Sequence, residues 1–145
     1  MKVVFLDIDG VLNNSNWAMQ MYDEGVHVYA ENLLDERAVR LLQKLIDATD
    51  AKIVVSSSWR RDDYAMQCLS DQLKPMEIYD VTPLKSSIRG EEITAWMKKH
   101  KDVERYVILD DDSDMGDHMD HLIQTTFQRG LQPEHIEEAI KWLNS

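Results

Sequence analysis

The chain has 145 residues, 43% of them hydrophobic, with a single cysteine, Cys68; that suffices for one domain with a real core and excludes an internal disulfide framework. Sixteen basic against twenty-seven acidic residues give a formal net charge of −11, so non-specific binding to duplex nucleic acid is not expected, although a local basic spot can hold one phosphate. The apolar run before Asp7 is shorter than the ~7–15 residues of a signal-peptide core, and no later run approaches a membrane span of ~18, so a cytoplasmic protein is expected.

Val3 to Leu6 is a continuous apolar run, the pattern of a strand buried on both faces of a parallel sheet. Asp7 and Asp9 stand at its C-terminal end, and Gly10 permits a sharp turn. Residues 13–32 read as irregular, a short flap or insertion above that strand end. Asn13-Asn14-Ser15 spells a glycosylation sequon, read as chance. From Leu34 a helical pattern sets in, with Ala38, Leu41, Leu42, Leu45 and Ile46 on one face and Asn32 or Asp35 as its cap.

Lys52–Val55 reads as a second buried strand, followed by Ser56-Ser57-Ser58-Trp59-Arg60. A helix capped by Asp62 runs to about Leu73, with Ala65, Cys68 and Leu69 inward. Met76–Val81 reads as a weak third strand at a sheet edge. A loop carrying Lys85 and Arg89 leads to a helix opened by Gly90, with Glu91 and Glu92 in its first turn and Ile93, Trp96 and Met97 inward. Arg105–Leu109 is a fourth strand running into Asp110-Asp111-Asp112-Ser113-Asp114, and Leu122–Thr126 a short fifth. Pro133 starts a last helix with Ile136, Ala139, Ile140 and Leu143 inward. Strands alternating with helices predict one α/β domain over residues 1–145, a three-layer Rossmann-like parallel sheet.

What ends each strand is informative. Asp7 and Asp9 end the first, Ser56 the second, and Asp110 to Asp112 the fourth, with Arg89 or Lys85 just before the third helix. Parallel strands bring all of these to one rim, where ligands of open α/β sheets bind. Two carboxylates about 4 Å apart repel by about 4 kcal/mol at an effective dielectric of 20, so either some are protonated or a cation sits among them. Hard oxygen donors point to Mg²⁺.

These residues carry a family resemblance. FLDIDGVLN, IVVSSSWR, RGEEI and YVILDDDSD resemble, in order, the four motifs of the haloacid dehalogenase (HAD) superfamily of phosphatases and phosphotransferases. Within it the texture is similar to small HAD domains associated with RNA repair and to polynucleotide phosphatases. The resemblance implies a HAD-like fold with a minimal cap and a phosphomonoester hydrolase working through an aspartyl-phosphate. Asp7 would be the nucleophile, Asp9 the general acid and base, Ser56 a donor to a phosphoryl oxygen and Arg89 the charge stabiliser, with Lys85 an alternative. Mg²⁺ would be held by Asp7, the backbone carbonyl of Asp9, and Asp110 and Asp111, Asp114 being the alternative partner of Asp110. An acid at position 9 marks the phosphatase branch.

A minimal cap leaves the site open, which suits a large substrate such as a nucleic-acid end or a phosphoprotein better than an enclosed metabolite; a nucleotide or nucleic-acid end is the substrate carried forward. Trp17, Tyr22 and Trp59 are candidates for stacking on a base, and Arg60 and Arg61 for meeting a phosphate. Two other classes compete. A phospho-acceptor receiver domain wants its acceptor at the end of strand three, where only Asp80 lies near. A non-catalytic metal-binding module would be expected to lose Asp7 or Asp9. Asp117-His118-Met119-Asp120-His121 reads as a solvated turn rather than a metal cluster, and the methionines as gap fillers.

Overall fold

Strand β1 (Lys2–Leu6) occupies the middle of a five-stranded sheet in which every neighbouring pair is parallel. The computed structural model describes residues 1–145. The other strands are β2 (Lys52–Val55), β3 (Ile78–Val81), β4 (Arg105–Asp110) and β5 (Leu122–Gln124), in the spatial order β3-β2-β1-β4-β5. The helices are α1 (Ser15–Asp23), α2 (Glu36–Thr49), α3 (Asp63–Leu73), α4 (Arg89–Lys98) and α5 (Pro133–Leu143). This is a three-layer α/β fold. No helix is long and apolar enough to cross a membrane.

Side-chain alternation along the strands assigns the two layers. Val4, Leu6, Ile53, Val55, Val107 and Leu109 pack with Ala38, Leu42 and Leu45 of α2, Leu69 and Leu73 of α3, and Ile136, Ala139 and Leu143 of α5. Val3, Phe5, Val54 and Ile108 meet Ile93 and Trp96 of α4 on the opposite face, where Phe5 sets its ring edge-on to Trp96. The chain moves outward from β1 to β2 to β3 and then returns through α4 to β4. Right-handed crossovers require the returning helix to take the other face. The reversal leaves a topological switch point between β1 and β4, at the carboxyl ends of those strands.

Register then fixes what meets there. Leu6 pairs with Leu109 on one side and Val55 on the other, and Val55 with Val81. The next residues along these strands, Asp7, Asp110, Ser56 and Thr82, therefore arrive on one rim. The ladder continues one bond further: Asp7 N–H donates to Leu109 O at 3.0 Å and Ser56 N–H to Leu6 O at 2.9 Å.

Several expectations need correction. Residues 13–32 are not wholly irregular, since Ser15–Asp23 form α1, capped by the Asn14 side chain accepting from Trp17 N–H at 2.8 Å. That helix buries no residue completely, so its apolar pattern carries little signal. β3 begins at Ile78 and β5 ends at Gln124, both shorter than expected; β3 does lie at an edge. Cys68 is half-buried rather than inward. Met115 fills core space, but Met19 and Met119 are 67% and 46% exposed and fill none.

Gly116–His121 is a 3₁₀ turn that buries none of its residues, as expected of a solvated turn, and only its two histidines pack against the fold. His118 bonds Thr94 Oγ1 through Nε2 and the Tyr106 hydroxyl through Nδ1, both at 2.7 Å, while His121 stacks on Tyr106. Burial, then the neighbouring His121, lowers the His118 pKa, consistent with a neutral ring shared between hydroxyls.

The N-terminus of α4 sits against the loop after β4. A Cβ at Gly90 would run into the backbone carbonyl of Met115, and Gly90 N–H donates to Asp114 O at 2.9 Å. Gly90→Ala is therefore expected to lower the urea midpoint by the equivalent of about 1–3 kcal/mol, the usual cost of overpacking. An unchanged midpoint would show that the loop yields freely.

Candidate active site

Three carboxylates converge at the switch point. One oxygen each from Asp7, Asp110 and Asp111 lie within 4.8 Å of one another. Asp7 and Asp110 are buried by the sheet, and Asp111 is half-buried at the mouth. Arg89, the first residue of α4, places Nη1 at 3.0 Å from Asp7 Oδ1 and 2.6 Å from Asp110 Oδ2. One guanidinium against three carboxylates leaves two negative charges if all are ionised, which a divalent cation balances. The donors are all hard oxygens, so the set fits Mg²⁺ in the way oxygen-ligated ions are held.

Gly10 makes this approach possible. It has φ +82°, and a Cβ there would collide with the Asp111 carboxylate. The turn is tied down by Asn13, whose Oδ1 accepts from Gly10 N–H at 3.0 Å, and by Thr125, whose hydroxyl donates to Gly10 O at 2.6 Å.

The Asp9 carboxylate stands apart from the three. Its Oδ1 accepts from Asn13 Nδ2 at 2.9 Å and from the Trp59 indole N–H at 3.2 Å. Two donors on one oxygen fix the carboxylate's direction and leave Oδ2 without a protein partner. Sequence reasoning missed Asn13 and Thr125. Asn13, six residues after Asp7 and at the end of the first motif, carried a usable signal. Thr125, 115 residues from Gly10, carried none.

Ser56 is fully buried, with Oγ lacking any hydrogen-bond partner, and the same holds for Thr82 Oγ1 on the neighbouring strand end. Unpaired buried hydroxyls at a rim are free to bond a ligand's oxygens. The remaining candidates separate clearly. Lys85 is exposed and offers the fold only its backbone N–H, to Glu92 at 3.0 Å; Arg89 is the base that touches the carboxylates. Asp114 holds the start of α4, accepting Arg89 N–H at 3.1 Å. Asp112 is exposed and bonds Ser113 N–H.

Two expected contacts with substrate are overturned. Trp59 is buried with its indole spent on Asp9, so it offers no open face to a base. Arg60 turns inward, its side chain 3% exposed and paired with Glu92 at 2.6 Å. It is not available to a phosphate.

Electrostatics at the rim follow from burial. The Asp7 carboxyl is pushed up from 3.8 to about 8, first by loss of hydration and then by the Asp110 charge, with Arg89 opposing only in part. Asp111 is raised for the same two reasons. Burial works against the Arg89 cation, but Asp7 and Asp110 outweigh it and strengthen its hold on its proton.

A carboxyl whose folded pKa exceeds its unfolded value binds its proton more tightly when folded. It thus contributes stability that is present at low pH and lost as pH rises from about 4 to about 8. In chelator, the unfolding free energy is expected to fall across that window with a slope of up to about 1.4 kcal/mol per pH unit. A flat profile would show that the carboxylates do not crowd one another.

No curated protein and no solved structure matches the chain. The family model described as the HAD domain in Swiss Army Knife RNA repair proteins matches residues 3–136, from β1 into α5 and so across all five strands and every residue of the rim. The chain belongs to that HAD family.

Proposed function

We propose that this protein is a Mg²⁺-dependent phosphomonoester hydrolase acting through an aspartyl-phosphate on the phosphorylated ends of nucleic acid. The observation that carries the reading is the meeting of Asp7, Asp110, Asp111 and Arg89 at the switch point, beside the unpartnered Ser56 hydroxyl. The family's description in RNA repair supports the choice of nucleic-acid ends. So does the short segment between β1 and α2, which holds only α1 and no inserted domain.

Asp7 Oδ attacks phosphorus, and the bond from phosphorus to the leaving oxygen breaks as the new one forms. Asp9, aimed by Asn13 and Trp59, gives its proton to the leaving oxygen. It then takes a proton from water, which attacks the same phosphorus and frees Asp7 and inorganic phosphate. Ser56 donates to a phosphoryl oxygen, and Arg89 stabilises the negative charge as it spreads. Asp7, Asp110, Asp111 and the Asp9 backbone carbonyl would hold Mg²⁺, which supplies the positive charge that lets an anionic nucleophile meet an anionic ester. A protonated Asp7 cannot attack, and Arg89, 3.0 Å from its carboxylate, is the residue that favours the ionised form.

Phosphate release from an aryl phosphate, nucleoside monophosphates and 3′- or 5′-phosphorylated oligonucleotides, with Mg²⁺ and with chelator, tests this. Release that needs Mg²⁺ and favours the oligonucleotides is expected. No turnover together with no Mg²⁺ binding would refute the enzyme reading. Stable phosphate retained on Asp7 would instead indicate a phospho-acceptor.

A further inference from the structure

This acidic chain gathers four of its cationic side chains into one groove. Arg37, Arg40 and Lys44 on α2 face Arg129, in the loop before α5, across a cleft of about 640 Å³. The three α2 residues are spaced i, i+3 and i+7, so they line one side of the helix over about 10 Å at 1.5 Å per residue. They flank the buried stripe of Ala38, Leu42 and Leu45 and are not needed for the core.

Their charges are largely free. Arg40 and Lys44 are exposed, with no carboxylate within 4 Å. Arg37 is 74% exposed and reaches Asp35 only at 3.9 Å, and Arg129 reaches Glu134 only at 3.9 Å. The acid in the groove, Asp35, is itself buried and occupied by Asn14 Nδ2 and by the backbone N–H of Arg37.

The groove adjoins the active site. Asn14 lines it, and the preceding residue, Asn13, holds Asp9. Leu131, also on its wall, donates its N–H to Val11 O in the turn after β1. Clustered cations without a close carboxylate on a chain of net charge −11 suit an anionic occupant, and the row along α2, about 10 Å long, spans about two backbone phosphates.

We propose that this groove binds the phosphodiester backbone of a single-stranded nucleic acid whose terminal phosphate enters the rim. Lys and Arg side chains with a polar neighbour, here Asn16, are the usual partners of backbone phosphates. The proposal deepens the phosphatase reading and rests on it for the direction of the strand.

The test is binding of a labelled single-stranded RNA lacking a terminal phosphate, about twelve nucleotides long, followed by anisotropy across NaCl concentrations. Arg40→Gln with Lys44→Gln is expected to weaken binding about tenfold or more at low salt. It should flatten the slope of log affinity against log salt by about 1.4, which is about 0.7 for each lost contact. Hydrolysis of an aryl phosphate, too small to reach the groove, should stay at wild-type rate.

Equal affinity and slope in wild type and variant would overturn the proposal, as would no binding by the wild type. Polyglutamate competing as well as unlabelled RNA of the same charge would overturn the assignment to phosphodiesters. Failure of the wild type to hydrolyse any phosphate ester would refute the phosphatase reading instead, and the binding result would be read separately.

Discussion

Asp7→Asn is expected to abolish phosphate release while leaving the protein folded and, in chelator near pH 8, more stable than wild type. Asparagine is nearly isosteric; its Oδ1 can accept from Arg89 and its Nδ2 can donate to Asp110. The substitution removes an ionisation that crowds Asp110 at that pH, so the decline in stability between about pH 4 and 8 should flatten. On the proposed mechanism it also removes the attacking oxygen, and loss of a covalent nucleophile costs on the order of 10³-fold or more in turnover. On the same mechanism Asp9→Asn is expected to separate the two halves of the reaction. With an aryl phosphate the leaving oxygen needs little protonation, so the first step continues and water attack stalls. Acid-labile phosphate should then build up on the protein, visible as one added phosphoryl mass. If Asp7→Asn keeps wild-type turnover, Asp7 is not the nucleophile; if Asp9→Asn turns over normally with poor leaving groups, Asp9 is not the acid.

Much of this arrangement is legible in the sequence for a topological reason. A parallel sheet carries all its strand ends to one edge, so finding Asp7, Ser56 and Asp110 after apolar runs suffices to place them together. The register, Leu6 beside both Val55 and Leu109, supplies the rest. Choices that depend on side-chain direction were not legible. Asp111 and Asp114 are equivalent as letters, and only the family resemblance prefers Asp111; in the fold Asp111 packs over Gly10 whereas Asp114 turns back to hold α4. Trp59 beside a strand end suggests a stacking surface; only the fold shows its indole bound to Asp9, fifty residues away. α1 escaped notice because it buries none of its residues and is started by Asn14, a residue equally at home in a loop.

Arg60 is the largest misreading and carries the largest expected effect on stability. A basic residue four positions after Ser56 suggests a phosphate ligand, yet its guanidinium is enclosed. It donates to the carbonyls of Ser56 at 2.8 Å, Ser57 at 2.7 Å and Thr82 at 3.0 Å, and to Glu92 at 2.6 Å. Glu92, 4% exposed, accepts from Lys85 N–H at 3.0 Å with its other oxygen. One ion pair thus joins the ends of β2 and β3 to the first turn of α4, the turn that also carries Arg89. Removing either partner strands a buried charge, and Arg60→Ala or Glu92→Gln is expected to cost about 3–5 kcal/mol in chemical denaturation. Arg60→Lys should not restore it, because an ammonium cannot reach three carbonyls and a carboxylate in one plane. The double change Arg60→Met with Glu92→Leu removes both charges and should cost less than the sum of the singles, though the Ser56 and Thr82 carbonyls lose their side-chain donor while Ser57 keeps the backbone N–H of residue 60. Where the Glu92→Gln protein still folds, its turnover should fall as well, since Arg89 and the Ser56 loop lose their common anchor. A Glu92→Gln variant within about 0.5 kcal/mol of wild type, the range of ordinary surface changes, would mean that the pair does not hold the rim together and that the backbone of the two strand ends does so unaided.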